Sequence, residues 1–321
     1  MHFDTLPART LLLCLAVLGC EPRRPGIPDW LRSAPGSAVM AISCRAGWAL
    51  KPPNFQGLLE RFPPAWPAMD LFLKRTRIDA RQDAGRVTFY LTRPAGEGGT
   101  KTGGAPPLGF LIQLGGFRDP GKLQAAVADA FPAEGTLPMD NRQFPLFVVL
   151  DAQPWRIRAM ADGDGRMWLG DQASLAGLGS GSGPAQAALA ASSGWISRAA
   201  AVQGFIRPPE LLAETADRLP GDLARDLPRG IESLCWSLTP GPAQDSPSLF
   251  ELSLVGSKDA VQRAGAWIQR FLAAAAAVPG ASLESPEILQ EDLRIGLRCQ
   301  LSQRQADAVL ARLNQPRILF R

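Results

Sequence analysis

The stretch FLIQLGGFRDPGKLQAAVADAF, residues 110–131, recurs 140 residues later as FELSLVGSKDAVQRAGAWIQRF, residues 250–271. Both copies begin with alternating apolar residues, reach a turn at glycine and continue with a helical period, which predicts a strand followed by a helix. A carboxylate, Asp119 or Asp259, stands at or near each predicted helix start, where it offsets unpaired backbone N–H groups. The identical positions are Phe110/Phe250, Leu114/Leu254, Gly116/Gly256, Asp119/Asp259, Ala126/Ala266 and Phe131/Phe271.

The repeat extends upstream of these two stretches. LKPPN at residues 50–54 matches IRPPE at residues 206–210, and VTFYLTRP from Val87 matches LCWSLTPG from Leu234. Because the matching segments occur in the same order, the sequence predicts an internal duplication in which each copy is β-α-β-β-α-β. The predicted fold class is therefore α+β: two tandem duplicated halves, each a mixed or antiparallel sheet with helices on one face.

The same pattern divides the chain into segments. A signal peptide is expected at residues 1–19 and a lipidated N-terminus with a Pro-rich tether at residues 20–36. The first α+β half is predicted at residues 37–178, a Gly- and Ser-rich linker at 179–194, and the second half at 195–321.

The N-terminal stretch TLLLCLAVLGC, Thr10 to Cys20, decides the expected location. Its apolar run is about ten residues, roughly half of what a membrane-spanning helix needs, and helix-hostile EPRRPGIP follows it. Residues 17–20, VLGC, resemble a bacterial lipobox, which implies that Cys20 becomes the acylated first residue of the mature chain. Two or three acyl chains hold a protein stably on a membrane. An ordinary signal peptide cut near Gly19 and an uncleaved buried strand are the alternatives.

The overall layout resembles uncharacterised bacterial envelope lipoproteins built from tandem ferredoxin-like, split-βαβ halves. The phrases DGRMWLGD at residues 164–171 and PPEL at residues 208–211 carry this resemblance. It implies a cell-envelope protein attached to the membrane by its lipid, and it implies no catalytic residues. Glu21, directly after the acylated position, resembles Gram-negative lipoproteins of the outer membrane, so we expect the periplasmic side of that membrane.

Composition excludes several classes of function. The net charge is +4, but the basic residues are interleaved with acids, so no nucleic-acid partner is expected. The only histidine is His2, inside the predicted signal peptide, and a mature chain without histidine lacks Ser-His-Asp and Cys-His catalysis and the usual zinc sites. We therefore expect no enzyme, cofactor or metal. Three cysteines remain in apolar contexts, as buried side chains or with two of them bridged: Cys44, Cys235 and Cys299.

Two acidic stretches are candidate sites with simpler explanations. In ADGDGRMWLGD, residues 161–171, three aspartates could offer oxygen to calcium, but Asp-Gly between two apolar strands is the usual signal of a hairpin turn. ESPEILQED, residues 284–292, is interpreted as a solvated loop leading to an edge strand. A carboxylate-only enzyme stays open as a minor alternative, because the spatial separation of acids is invisible in the sequence.

The segment FPPAWPAMDLFLKR, residues 62–75, is the candidate binding surface. Its apolar side chains either cap the core or form a lid or groove for a hydrophobic ligand or an envelope protein. The predicted function is a non-enzymatic binding or assembly module, with a carrier of a lipid or acyl chain as the alternative. The residues in question are Phe62, Trp66, Met69, Phe72 and Leu73.

Overall fold

The computed structural model describes residues 30, 33–49, 65–93, 108–139, 142–152, 155–179, 197, 200–207, 229–241, 246–276, 284–302 and 305–306. Within them, twelve strands form one sheet in the order β11-β12-β10-β9-β8-β1-β2-β3-β7-β6-β5-β4, and every neighbouring pair is antiparallel. The strands are β1 Ala38–Arg45, β2 Arg86–Thr92, β3 Gly109–Gly115, β4 Ala133–Met139, β5 Arg142–Ala152, β6 Trp155–Ala161, β7 Met167–Asp171, β8 Val202–Ile206, β9 Ile231–Thr239, β10 Ser248–Gly256, β11 Glu284–Glu291 and β12 Arg294–Leu301.

The helices connect these strands. They are α1 Ala46–Ala49, α2 Ala65–Thr76, α3 Ala80–Asp83, α4 Pro120–Ala130, α5 Gln172–Ala176 and α6 Lys258–Ala276, and a 3-10 turn, Gly177–Gly179, follows α5. Among the described residues, no helix is both long and apolar enough to cross a bilayer.

The predicted architecture of two tandem β-α-β-β-α-β halves with helices on one face is wrong. One continuous antiparallel sheet replaces two separate ones, because β1 and β8 pair with each other. In the first half α4 is followed by four strands, β4 to β7, instead of one, and in the second half α6 is followed by two. The helices also occupy both faces, since Leu175 of α5 packs on the opposite face from Leu123 of α4.

The burial of β1 explains why the halves merge. Seven of its eight residues, from Ala38 to Cys44, are buried, so both faces of this strand are covered. A strand of this kind would present a row of unpaired N–H and C=O groups if it stood at the edge of a sheet. Pairing with β8, from Met40 opposite Ile206 to Cys44 opposite Val202, satisfies them and places β1 in the interior of the sheet.

The two edge strands are poor templates for further pairing. β4 carries Pro138 and β11 carries Pro286, and proline has no N–H to donate to a neighbouring strand. β11 also holds acidic side chains, among them Glu287 and Glu291, which are exposed. Both ends of the sheet therefore have features that oppose growth by strand addition.

The sheet has two differently covered faces. On the helix face, Phe110, Ile112 and Leu114 of β3 pack with buried side chains of α2, α4 and α6 in the larger core. There Phe72 of α2 stacks on Phe131 at the end of α4, with ring centroids 5.9 Å apart. The other side is called the tether face, and its core contains Trp30, Tyr90, Leu111, Trp168 and Leu175.

The repeated stretches occupy matching places in this sheet. In the first copy Val87 pairs with Leu114 and Leu91 with Phe110. The sequence repeat relates these residues to Leu234, Leu254, Leu238 and Phe250, and in the second copy Leu234 pairs with Leu254 and Leu238 with Phe250. The strands β2 and β3 therefore pair in the same register as their equivalents in the second half, β9 and β10.

Candidate functional site

The predicted apolar binding segment lies mainly on the helix face. Its described part belongs to α2, where Met69 and Phe72 are fully buried in the core and Trp66 and Leu73 are half-buried against it. Phe62 lies outside the described residues, as does Cys20, the predicted lipidation site. Met69 and Phe72 therefore have packing roles, and a ligand-binding role for the segment stays a prediction.

A buried polar network fills the seam between the two halves on the tether face. Arg86 of β2 donates from Nε to the Ser43 hydroxyl (2.6 Å) and from Nη2 to Gln203 Oε1 of β8 (3.0 Å) and to the Ala200 carbonyl oxygen (3.3 Å). Burial lowers the pKa of the Arg86 guanidinium, because desolvation penalises its charged form. The acceptors named here are neutral, so this arginine joins the two halves through hydrogen bonds to both.

The N-terminal segment is fastened onto the same network. Trp30 is buried, and its Nε1 donates to Gln203 Oε1 (2.5 Å), while the Tyr90 hydroxyl donates to the Trp30 carbonyl oxygen (2.8 Å). A few residues on, Gln113 Nε2 donates to the Ser33 hydroxyl (2.9 Å). Residues within the predicted tether are therefore attached to the body, and Trp30 is attached to both halves at once.

The aspartate-rich turn between β6 and β7 is a hairpin, as its Asp-Gly pairs predict. Asp162 is buried, and its Oδ1 accepts from the backbone N–H groups of Asp164 and Arg166, both at 3.0 Å. Its Oδ2 accepts from Arg166 Nε (2.6 Å) and from Trp168 Nε1 (3.0 Å). Four donors thus occupy this carboxylate, which leaves it little capacity for a cation.

The other two aspartates of the calcium hypothesis also have structural partners. Asp164 Oδ2 accepts from Arg166 Nη2 (2.6 Å). Asp171 caps α5 by accepting from the Ser174 N–H (2.8 Å) and also accepts from the Phe110 N–H (2.8 Å). Within the described part of the chain, no group of three or more His, Cys, Asp or Glu side chains is arranged to hold a metal ion.

A second buried carboxylate, Glu251 of β10, lies on the tether face of the second half. Its Oε2 accepts from the Ser197 N–H (2.8 Å) and the Ser237 hydroxyl (2.9 Å), and its Oε1 accepts from Arg298 Nη2 (3.0 Å). Glu287 lies 3.8 Å from the same arginine. The stretch at residues 284–292 is the edge strand β11 and its turn, rather than a loop before an edge strand.

The three cysteines of the body are thiols, and no disulfide joins them. Cys44 and Cys299 pack in the core of the helix face, whereas Cys235 packs on the tether face, so the sheet itself separates Cys235 from the other two. Burial raises the pKa of Cys44 to about 12 and that of Cys299 to about 11. Such thiols are protonated and unreactive near neutral pH.

A depression of about 220 Å³ lies beside the β6–β7 turn. Its lining comes from two hairpins: Met139, Arg142 and Phe144 from β4 and β5, and residues 162–164 with Arg166 from the turn. Sequence reasoning identified the turn but missed Arg142 and Phe144, because no motif links them to a turn about twenty residues later. The antiparallel meander of β5, β6 and β7 brings the two hairpins to one end of the sheet.

Comparison with other proteins adds no assignment to these features. The chain matches no protein-family model, and no match to it was found among the curated proteins or the solved structures. The fastened N-terminal segment and the depression beside the β6–β7 turn are therefore the features on which a function can be argued.

Proposed function

We propose that this chain is a lipid-anchored protein of the bacterial cell envelope, attached through Cys20 on the periplasmic side of the outer membrane, and that it acts as a non-enzymatic binding or assembly module. The observation that carries the proposal is the attachment of Trp30 to both halves of the sheet, through Gln203 and Tyr90. Trp30 stands only ten residues after the lipobox-like cysteine.

The short connection limits where the body can be. Ten residues of fully extended chain reach at most about 35 Å, at roughly 3.5 Å per residue. Prolines at positions 22, 25 and 28 favour an extended, semi-rigid tether. A body held at this distance stays beside the bilayer surface, which suits a protein that binds a membrane component or a partner in the same membrane.

Two features support binding over catalysis. The chain from Cys20 onward contains no histidine. The buried acids Asp162 and Glu251 each accept hydrogen bonds from several donors, including an arginine, so their oxygens are engaged in structural contacts instead of being available as an acid or base. The side chains packed together in the helix-face core, such as Phe72 against Phe131, favour a ligand site at the surface over a carrier cavity between sheet and helices.

The test is acylation of the full-length protein in a Gram-negative host fed a clickable fatty acid. We expect the wild type to carry the acyl label and to sediment with outer membranes. Cys20→Ser should abolish the label, whereas the matched control Cys14→Ser, inside the predicted signal peptide, should keep it. An acyl label that persists in Cys20→Ser, or a wild type without one, would contradict the anchor.

The binding role is tested on the intact membrane-attached protein. Affinity capture after mild detergent extraction, followed by mass spectrometry of proteins and lipids, should recover a component that is depleted when the depression beside the β6–β7 turn is altered by Arg142→Gln. Recovery of the same components with both proteins would place the binding surface elsewhere.

A further inference from the structure

The depression beside the β6–β7 turn presents hydrogen-bond donors that have no partner among the described residues. The Arg142 side chain makes no hydrogen bond or ion pair with the described residues. Arg166 uses Nε for Asp162 and Nη2 for Asp164, which leaves its Nη1 without a partner in the described part of the chain. A guanidinium carries five N–H donors, and both of these side chains line the depression.

We propose that this depression binds an oxyanion carried on an apolar group, and that anionic phospholipids of the membrane supply it as their phosphate. This goes beyond the proposed function by assigning a site and a ligand class, and it rests on that function only for the source of the ligand.

The balance of donors and acceptors favours an anion. The depression is lined by two arginines and two aspartates, whose formal charges cancel. A net positive charge at the site is therefore not what would attract an anion. Asp162 is saturated by four donors, and only one oxygen of Asp164 is left without a donor from this turn. An acceptor-rich phosphate pairs with the surplus guanidinium donors, and arginine binds such groups through two parallel hydrogen bonds.

The shape of the site fits an anion with an apolar body. Met139 is buried and Phe144 is half-buried, and both line the depression next to the arginines. Gly163 lets the guanidinium lie close to the turn, because a Cβ there would stand 3.1 Å from Arg142 Nη1. A phosphate at Arg142 would therefore leave its attached chain against Met139 and Phe144.

The position of the site relates it to the membrane. Met139 and Phe144 belong to the tether-face cluster that also contains Trp30, where the tether enters the fold. With Cys20 in the bilayer, the ten residues that lead to Trp30 hold that residue, which is part of this face, within about 35 Å of the lipid head groups.

The site is tested on the purified full-length protein with three soluble probes: hexyl phosphate, inorganic phosphate and hexanol. Titration calorimetry should show that hexyl phosphate binds more tightly than inorganic phosphate or hexanol. Arg142→Gln should weaken it by about tenfold, since a charged hydrogen-bond donor is lost. Gly163→Ala should also weaken it by displacing the guanidinium. The control Arg156→Gln removes an exposed arginine of β6, 3.6 Å from Asp151, and should leave binding unchanged.

The source of the anion is tested after reconstitution into phosphatidylcholine vesicles with or without phosphatidylglycerol. Phosphatidylglycerol should slow amide exchange at residues 162–166 in the wild type and not in Arg142→Gln. No binding of any probe, or equal binding by Arg142→Gln, overturns the site. Tight binding of inorganic phosphate without the vesicle effect overturns the lipid source alone. A wild type without an acyl label at Cys20 would instead contradict the anchor. Binding of the soluble probes would be unchanged in that case, so the two failures can be told apart.

Discussion

Ile42 of β1 and Gly204 of β8 lie opposite each other, and the contacts on either side of them are related by a local twofold. Met40 pairs with Ile206 just as Cys44 pairs with Val202. Beyond both ends the relation continues in two backbone hydrogen bonds of 2.8 Å, from Arg45 N–H to the Ala201 carbonyl and from Arg207 N–H to the Val39 carbonyl. The first strands of the two halves therefore meet as equivalents, and the repeat in the sequence becomes a symmetric seam.

The packing of β8 beside β9 depends on the missing side chain at Gly204. A Cβ at this position would lie 2.1 Å from the indole of Trp236, which is itself buried. We expect Gly204→Ala to lower the free energy of unfolding by about 1–3 kcal/mol or more through overpacking, as measured by urea denaturation. In a Trp236→Phe background the same change should cost less, because the smaller ring leaves room.

The control for this substitution is Gly47→Ala in α1, where a Cβ would meet nothing within 4 Å. It should not lower the stability. If both glycine substitutions lowered the free energy of unfolding equally, the close approach of residue 204 to Trp236 would not be the cause.

Trp30 is expected to contribute to the free energy of unfolding, although it lies within the predicted tether. Trp30→Phe removes the N–H that Gln203 accepts and should cost about 1 kcal/mol. Trp30→Ala also removes the buried ring and should cost about 3–5 kcal/mol. Both losses would be measured by urea denaturation of the full-length protein. A Trp30→Ala variant as stable as the wild type would mean that the tether is not fastened to the sheet.

The β6–β7 turn is expected to be sensitive to its buried aspartate. Asp162→Ala leaves Trp168 Nε1 and the Arg166 guanidinium without their acceptor and should cost about 3–5 kcal/mol. Asp164→Ala is the control, because its side chain is 71% exposed and an exposed ion pair is worth at most about 1 kcal/mol. Similar losses for both variants in chemical denaturation would contradict the structural role of Asp162.

Stability should fall as the pH rises above 9. Burial raises the pKa of Cys44 from 9.0 to about 12 and that of Cys299 from 9.0 to about 11. The unfolded thiols lose their protons from about pH 9 while the folded ones keep them, so each thiol lowers the free energy of unfolding by up to about 1.4 kcal/mol per pH unit over this range.

The measurement is urea denaturation from pH 8 to pH 11, with Cys44→Ala as the comparison. The variant should show a shallower decline than the wild type, since one of the two thiols is gone and all other titrating groups are common to both. If the stability of both proteins declined equally with pH, burial would not be keeping the Cys44 thiol protonated in the folded protein.

The local elements of this fold could be predicted from the sequence. Alternation followed by a helical period at residues 110–131 gives β3 and α4, and Asp119 caps α4 by accepting from the Lys122 N–H (3.0 Å). In the second copy β10 and α6 follow the same pattern, although Asp259 lies inside the first turn and the Ser257 hydroxyl accepts from the Ala260 N–H. These features depend on neighbouring residues only.

The arrangement of the elements could not be predicted in the same way. Pairing of β1 with β8 joins residues about 160 positions apart, and the periodicity of either strand does not identify its neighbour. β4 was missed because Gly135 and Pro138 are residues that strands disfavour, and it forms as an edge strand where proline is tolerated. Arg142 escaped notice for a different reason, because its role depends on which hairpins meet at one end of the sheet.

The seating of Trp30 also determines how mechanical load would reach the fold. If Cys20 carries the proposed acyl group, a pull on it would reach the Trp30 indole and carbonyl, which are hydrogen-bonded to β8 and β2 on opposite sides of the seam. Force is then shared between the centre strands, and no outermost strand is peeled away first. A protein attached in this manner would resist unfolding strand by strand when force is applied through its membrane attachment.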